Sequence, residues 1–81
     1  MSFKIGDIIV FKDSPENRRN CKENIGVIVK IFKIKPATSD IRADHLFEVV
    51  KIKTNIKYGY GFYDYRFERI KPTLNKQIQV L

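Results

Sequence analysis

The side chains with most to offer chemically are cations and tyrosines. Arg18, Arg19 and Lys22 fall within one polar stretch, and Lys30, Lys33 and Lys35 follow along a single apolar run. Guanidinium and ammonium groups at this density suit phosphate oxygens or the carboxylates of another protein. The segment Tyr58–Phe67 holds all four tyrosines and two of the six phenylalanines. Tyr58, Tyr60 and Phe62 recur every second residue, with Gly59 and Gly61 between them. In an extended chain this period sets the three rings on one face. The glycines leave the other face bare, so another backbone can approach closely. Exposed, such rings stack on nucleobases, worth about 1–3 kcal/mol per base. Buried, they fill a small core. Tyr60 is the ring expected in the core, and Tyr58, Tyr63 and Tyr65 are the candidate contacts, with Tyr58 and Tyr65 foremost.

Other chemistries are poorly supplied. His45 beside Asp44, with Cys21 distant, has no zinc-ligand spacing. A nucleophilic Cys21 would need an adjacent base, and His45 is the one histidine. Asp40 and Asp44 are the nearest approach to a carboxylate pair, and they lie in a loop. Gly59 and Gly61 sit in a strand rather than before a helix, so they do not form a phosphate-cradling loop. The expectation is a binding protein with no catalytic site, no cofactor and no metal.

Eighty-one residues make one domain. A chain this short buries only about 60% of the surface its unfolded form exposes, so its core is thin. A net charge of +7 attracts polyanions, here RNA or DNA or an acidic protein surface. One cysteine precludes an internal disulfide, and small secreted domains usually need such staples, so a reducing cytoplasm is expected. No apolar run approaches the ~18 residues of a membrane span. Lys4 and Asp7 interrupt what would be the apolar core of a signal peptide. No membrane association is expected.

The elements that must position these residues read as short strands. Gly6-Asp7 is a turn into Ile8–Lys12, where Ile9 and Phe11 share one side and Ile8 and Val10 the other, as in a strand buried on both faces. Residues 13–24 are a polar loop in which Ser14-Pro15-Glu16 has the form of a helix start, with room for one or two turns before Asn20. Val27–Phe32, continuing to Lys35, is a central strand with Lys30, Lys33 and Lys35 along its exposed end, and Pro36 stops it. Residues 36–44 form a second loop with Ile41 tucked beneath. His45–Lys53 is the third strand, with Phe47 and Val49 inward and Glu48 outward. Thr54-Asn55 is a turn, and Ile56–Phe62 is the aromatic strand. Tyr63–Arg66 makes a tight, 3₁₀-like turn, and Phe67–Lys71 is a short closing strand ended by Pro72. The tail, 73–81, is either disordered or an added edge strand, the second being favoured. Short strands at near-regular spacing suggest a small barrel.

Gly6-Asp7-Ile8-Ile9-Val10, a polar loop, Ile25-Gly26-Val27-Ile28-Val29-Lys30-Ile31, and then Tyr63, Phe67, Glu68 and Ile70 in a closing Tyr-x-x-x-Phe-Glu-x-Ile resemble the SH3-like barrels. The first two pieces are similar to the KOW branch found in ribosomal proteins and transcription elongation factors, where a G-D-x-V-x-V strand precedes a G-x-V-x-x-I strand. The resemblance spans roughly residues 4–71. It implies an all-β, five- to six-stranded SH3-like barrel over residues 1–72, with short 3₁₀ or helical turns. It also implies association with nucleic acid or a nucleic-acid machine, for which the residues themselves nominate Arg18, Arg19, Lys22, Lys30, Lys33, Lys35, Tyr58 and Tyr65 as contacts. The first loop departs from the KOW pattern: it carries Arg18-Arg19-Asn20-Cys21 where the family has glycines. The chain looks equally similar to small SH3-like proteins of large bacteriophages. Those imply an adaptor or inhibitor that docks, in the host cytoplasm, on an acidic surface of RNA polymerase or the ribosome. It does not resemble the peptide-binding signalling SH3 domains, since it has no Trp and a basic first loop.

Overall fold

A computed structural model describes residues 3–70. Its elements are β1 (Ile8–Phe11), α1 (Pro15–Asn20), a 3₁₀ turn (Lys22–Asn24), β2 (Ile28–Pro36), β3 (His45–Lys51), β4 (Phe62–Tyr63), a second 3₁₀ turn (Asp64–Arg66) and β5 (Phe67–Arg69). The chain is mostly β with little helix. Its strands form one open antiparallel sheet in the order β4-β3-β2-β1-β5. The tail, 73–81, expected to be disordered or an added edge strand, and the end of the closing strand at Lys71 and Pro72 lie outside the described residues.

β1 alternates as a β-branched strand should, with Ile9 and Phe11 fully buried. It is not buried on both faces, however. Ile8 is 47% exposed, because α1 packs at the end of the sheet, against the 3₁₀ turn before β5, and leaves the outer face of β1 uncovered. α1 itself starts where its sequence signals place it. Ser14 is the N-cap, its Oγ accepting from the Asn17 N–H at 3.2 Å, and Pro15 takes the first helical position. After the first 3₁₀ turn, Gly26 adopts φ +85°, and its N–H donates to the Phe11 carbonyl at 2.9 Å, so the chain rejoins β1 as β2 begins.

β2 carries a bulge. Ile31 faces Val49, but the next ladder pair is Lys33–Glu48, so Phe32 is the extra residue. A bulge of one residue reverses the parity of everything after it. Val29 and Ile31 point inward before it, and Ile34 packs on the core after it. Lys30 therefore shares the outer face with Lys33 and Lys35, which an unbroken alternation would not allow for Lys33 and Lys35. In β3, Phe47 and Val49 are buried as expected. β3 ends at Lys51 rather than Lys53. The Lys51 carbonyl accepts from the Asn55 N–H at 2.8 Å and Asn55 takes φ +58°, a conformation that Asn tolerates, which turns the chain early.

The aromatic stretch is not one strand. Lys57 bridges to Val50, and that register, left unbroken, would set Tyr60 opposite Phe47. The ladder instead pairs Phe62 with Phe47, so two additional residues are looped out between Tyr58 and Phe62. This overturns the expectation for Tyr60. It is 63% exposed, and Phe62, at 7%, occupies the core slot instead. The Phe62 ring meets Phe11 edge-on with centroids 4.9 Å apart, and Phe11 lies 4.5 Å from Phe67. Ile9, Val29, Ile31, Phe47 and Val49 complete this core. Ile41 is also not tucked under its loop: it is fully exposed, and Ala43 is the loop's buried apolar residue. No helix among the described residues is long and apolar enough to cross a membrane.

Candidate polyanion-binding surfaces

The outer face of β2 and β3 gathers cations. Lys30, Lys33 and Lys35 project from β2 and are exposed. Lys57, opposite the end of β3, sets its ammonium 4.7 Å from the centroid of the bulged Phe32 ring. Glu48 is the carboxylate in their midst. It pairs with Lys35, and that hydrogen bond, reinforced by the charges of Lys35, Lys33 and Lys57, holds its carboxyl below the usual glutamate value. Three lysines around one carboxylate leave a net positive field on this face. Sequence reasoning missed Lys57 and Phe32. Alternation counted outward from the Thr54-Asn55 turn would have found Lys57, because a hairpin there places it across from Ile52, on the same face as Val50, its actual partner.

Arg18, Arg19 and Lys22 belong to a different element, the short helical link between β1 and β2, and all three are exposed. The Arg18 Nε donates to Asp13 Oδ1, which lowers the Asp13 carboxyl and raises the guanidinium. Arg18 is thus engaged at the surface, whereas Arg19 contributes only its charge, helping to hold Glu16 ionised.

Tyr58 and Tyr65 are both held by the fold. Tyr58 is half-buried, its ring edge-on to Phe62 at 5.1 Å and to Phe11 at 5.8 Å. Its hydroxyl donates to Oδ1 of the buried Asn24 at 3.1 Å, and burial raises its pKa. The Tyr65 hydroxyl donates to Asp40 Oδ2 at 2.7 Å and accepts from Arg42 Nη2 at 2.9 Å. Burial, then the bond to Asp40, raises the Tyr65 pKa. Arg42 also reaches Glu16 in α1 at 2.8 Å. One guanidinium so ties the 37–44 loop, α1 and the second 3₁₀ turn together, and its hydrogen bonds keep Asp40 well below the ordinary aspartate value. Asp64 adds a second tie, its Oδ2 accepting from the N–H groups of Asp44 (3.2 Å) and His45 (3.1 Å) at the start of β3.

A further polar cluster was invisible in the sequence. Asn17 is fully buried in α1. Its Nδ2 donates to the carbonyls of Lys12 (2.7 Å) and Arg66 (3.0 Å). Its Oδ1 accepts from Arg66 Nη1 at 2.9 Å and from the Cys21 thiol at 3.3 Å. Asn17 therefore uses both ends of its amide to fasten α1 to the turn before β5. Nothing distinguishes Asn17 from the other asparagines of the polar stretch until the chain folds. Cys21 is buried in this cluster, while His45 is exposed at the start of β3. Among the described residues no group of three or more His, Cys, Asp or Glu side chains is placed to hold a metal ion.

Comparison with protein-family models, curated proteins and solved structures gives no match to this chain.

Proposed function

We propose that the chain is a small SH3-like barrel that acts as a non-enzymatic binding module for nucleic acid, with the outer face of β2 and β3 lying on the phosphate backbone. The observation that carries this reading is the bulge at Phe32, which keeps Lys30, Lys33 and Lys35 on one outward face beside Lys57. Ammonium groups spaced along a strand suit a backbone of regularly repeating phosphates. The barrel reading draws support from the strand order: β4 and β5 are the two edges of the sheet, and a single 3₁₀ turn joins them. A connection that short is what closure requires. Arg19 and Lys22 would extend the contact.

Fluorescence anisotropy with labelled single-stranded RNA, single-stranded DNA and duplex DNA across a salt series tests this. The logarithm of affinity should fall linearly with the logarithm of salt concentration, by about 0.7 per neutralised phosphate for single strands. A flat response, or no binding of any of the three at low salt, overturns the reading.

A second reading, a protein adaptor or inhibitor docking on an acidic protein surface, is favoured by one observation. Ile28 and Ile52, each 44% exposed, adjoin across β2 and the residue just past β3, with Lys51 and Lys53 beside them, and Ile8 of β1, 47% exposed, pairs with Lys30. A phosphate backbone offers nothing apolar to such a patch, whereas a protein surface does. An affinity pull-down with nuclease separates the two: partners that survive digestion support the adaptor, and loss of every partner supports nucleic acid.

A further inference from the structure

Between the end of α1 and the looped-out aromatic segment lies an open hollow of about 210 Å³, lined by Asn20, Cys21, Tyr60, Tyr63 and Arg66 among others. We propose that this hollow is a nucleotide site, in which Arg66 receives the phosphate and Tyr60 stacks on the base. The choice of a nucleotide rests on the nucleic-acid reading above; the site is separate from the lysine face.

The guanidinium is the first reason. Arg18, Arg42, Arg69 and Lys35 each pair with a carboxylate. Among the described residues none pairs with Arg66. Its Nη1 meets two neutral acceptors, Asn17 Oδ1 at 2.9 Å and Cys21 Sγ at 3.6 Å, and its Nε is buried with no acceptor at all. A half-buried cation without a counter-charge gives up part of its hydration unrewarded, and an anion supplied from outside offsets that cost. The group is also fixed before any ligand arrives, since fully buried Asn17, itself bonded to the Arg66 and Lys12 carbonyls, grips it. Preorganisation of this kind lowers the entropy lost on binding.

Tyr60 is the second reason. The two-residue loop-out removes it from the core and presents it at the hollow, 63% exposed. The ring is nonetheless backed by Phe62, 5.0 Å away, and by Tyr58 at 6.4 Å. A supported, largely exposed ring lining the same hollow as a guanidinium without a carboxylate partner matches a ligand that joins a planar ring to a phosphate. Such stacking tolerates any base.

The test is a titration of the full ¹⁵N-labelled chain with adenosine monophosphate, with adenosine and inorganic phosphate as separate arms, read by amide shifts. The monophosphate should move Asn20, Cys21, Tyr60, Gly61, Tyr63 and Arg66 and bind more tightly than either half. Tyr60→Ala should weaken it at least about 5-fold, the lower end of what losing one base stack removes. Arg66→Lys should bring the monophosphate down to the affinity of adenosine. If Arg66→Lys does not fold, Tyr60→Ala decides. Shifts confined to the lysine face, no saturable shift at millimolar ligand, or unchanged affinity in Tyr60→Ala overturns the site. Oligonucleotide anisotropy on the same variants separates the two claims. Salt-sensitive binding without a monophosphate response sinks the hollow and leaves the lysine face; a monophosphate response without oligonucleotide binding does the reverse.

Discussion

Gly59 and Gly61 stand either side of Tyr60 and answer to different constraints. A Cβ at Gly61 would lie 2.8 Å from Leu46 Cγ and Cδ2 and 3.3 Å from the Phe47 carbonyl oxygen, so β3 fits against this segment only because the side chain is missing. A Cβ at Gly59 would meet nothing within 4 Å. Gly61→Ala should therefore destabilise the fold by about 1–3 kcal/mol, as overpacking does, and Gly59→Ala should stay within about 0.5 kcal/mol of the parent. Urea unfolding curves measure both. The same assay separates the neighbouring rings. Phe62→Ala empties a core slot and should cost about 3–5 kcal/mol, whereas Tyr60→Ala, on an exposed ring, should change stability by less than about 0.5 kcal/mol.

At the scale of elements, the loops are fastened by carboxylates, and this makes stability depend on pH. Hydrogen bonds from Arg42 lower Asp40 from its ordinary 3.8. A backbone N–H at the start of α1, then Arg42, lowers Glu16 from 4.5, and Lys35 lowers Glu48 from 4.5. A carboxyl whose folded pKa is depressed contributes stability that is present above its unfolded value and is lost as pH falls through the folded one. The melting temperature should thus hold down to about pH 4.5 and drop progressively below it. Asp40→Asn should lower the melting temperature at neutral pH and flatten that acid limb. At the other end, Tyr58 and Tyr65 are raised above their ordinary 10.0, chiefly by burial, so their contribution is present below pH 10 and is lost as pH rises through their folded values. Circular dichroism melts across pH check both limbs.

At the scale of the molecule, the chain carries a net charge of +7, and two of its cation clusters differ in how far they are already paired. On the lysine face of β2 and β3, Glu48 is a counter-charge shared by Lys33, Lys35 and Lys57, while Arg18 on the helical link is already engaged by Asp13. Lys33→Gln and Lys57→Gln should each reduce the salt slope of nucleic-acid binding by about 1, the loss of one phosphate contact. Arg18→Gln should reduce it less, because its guanidinium must leave Asp13 before it can serve a phosphate. Anisotropy titrations at several salt concentrations compare the three variants directly.

Much of this architecture was written in local sequence. Ser14-Pro15-Glu16 specified the start of α1, Thr54-Asn55 the turn, Tyr63–Arg66 the 3₁₀ link, and the alternation of Ile9, Phe11, Phe47 and Val49 the inward faces. Each of these depends on residues within a turn or two of one another, so short-range propensity and periodicity suffice. The exposure of Lys30, Lys33 and Lys35 was anticipated from their charge, but alternation alone would have split them between two faces. What tertiary structure decided was everything set by register between distant segments. The bulge at Phe32 and the two residues looped out before Phe62 are fixed by how β2 and the aromatic segment align with β3. Those alignments settled that Phe62, not Tyr60, enters the core and that Lys57 joins the lysine face. Asn17 and Arg66 meet across 49 residues of chain. No pattern within either segment encodes that contact, because the free energy favouring it comes from burying both against a sheet that neither segment forms alone.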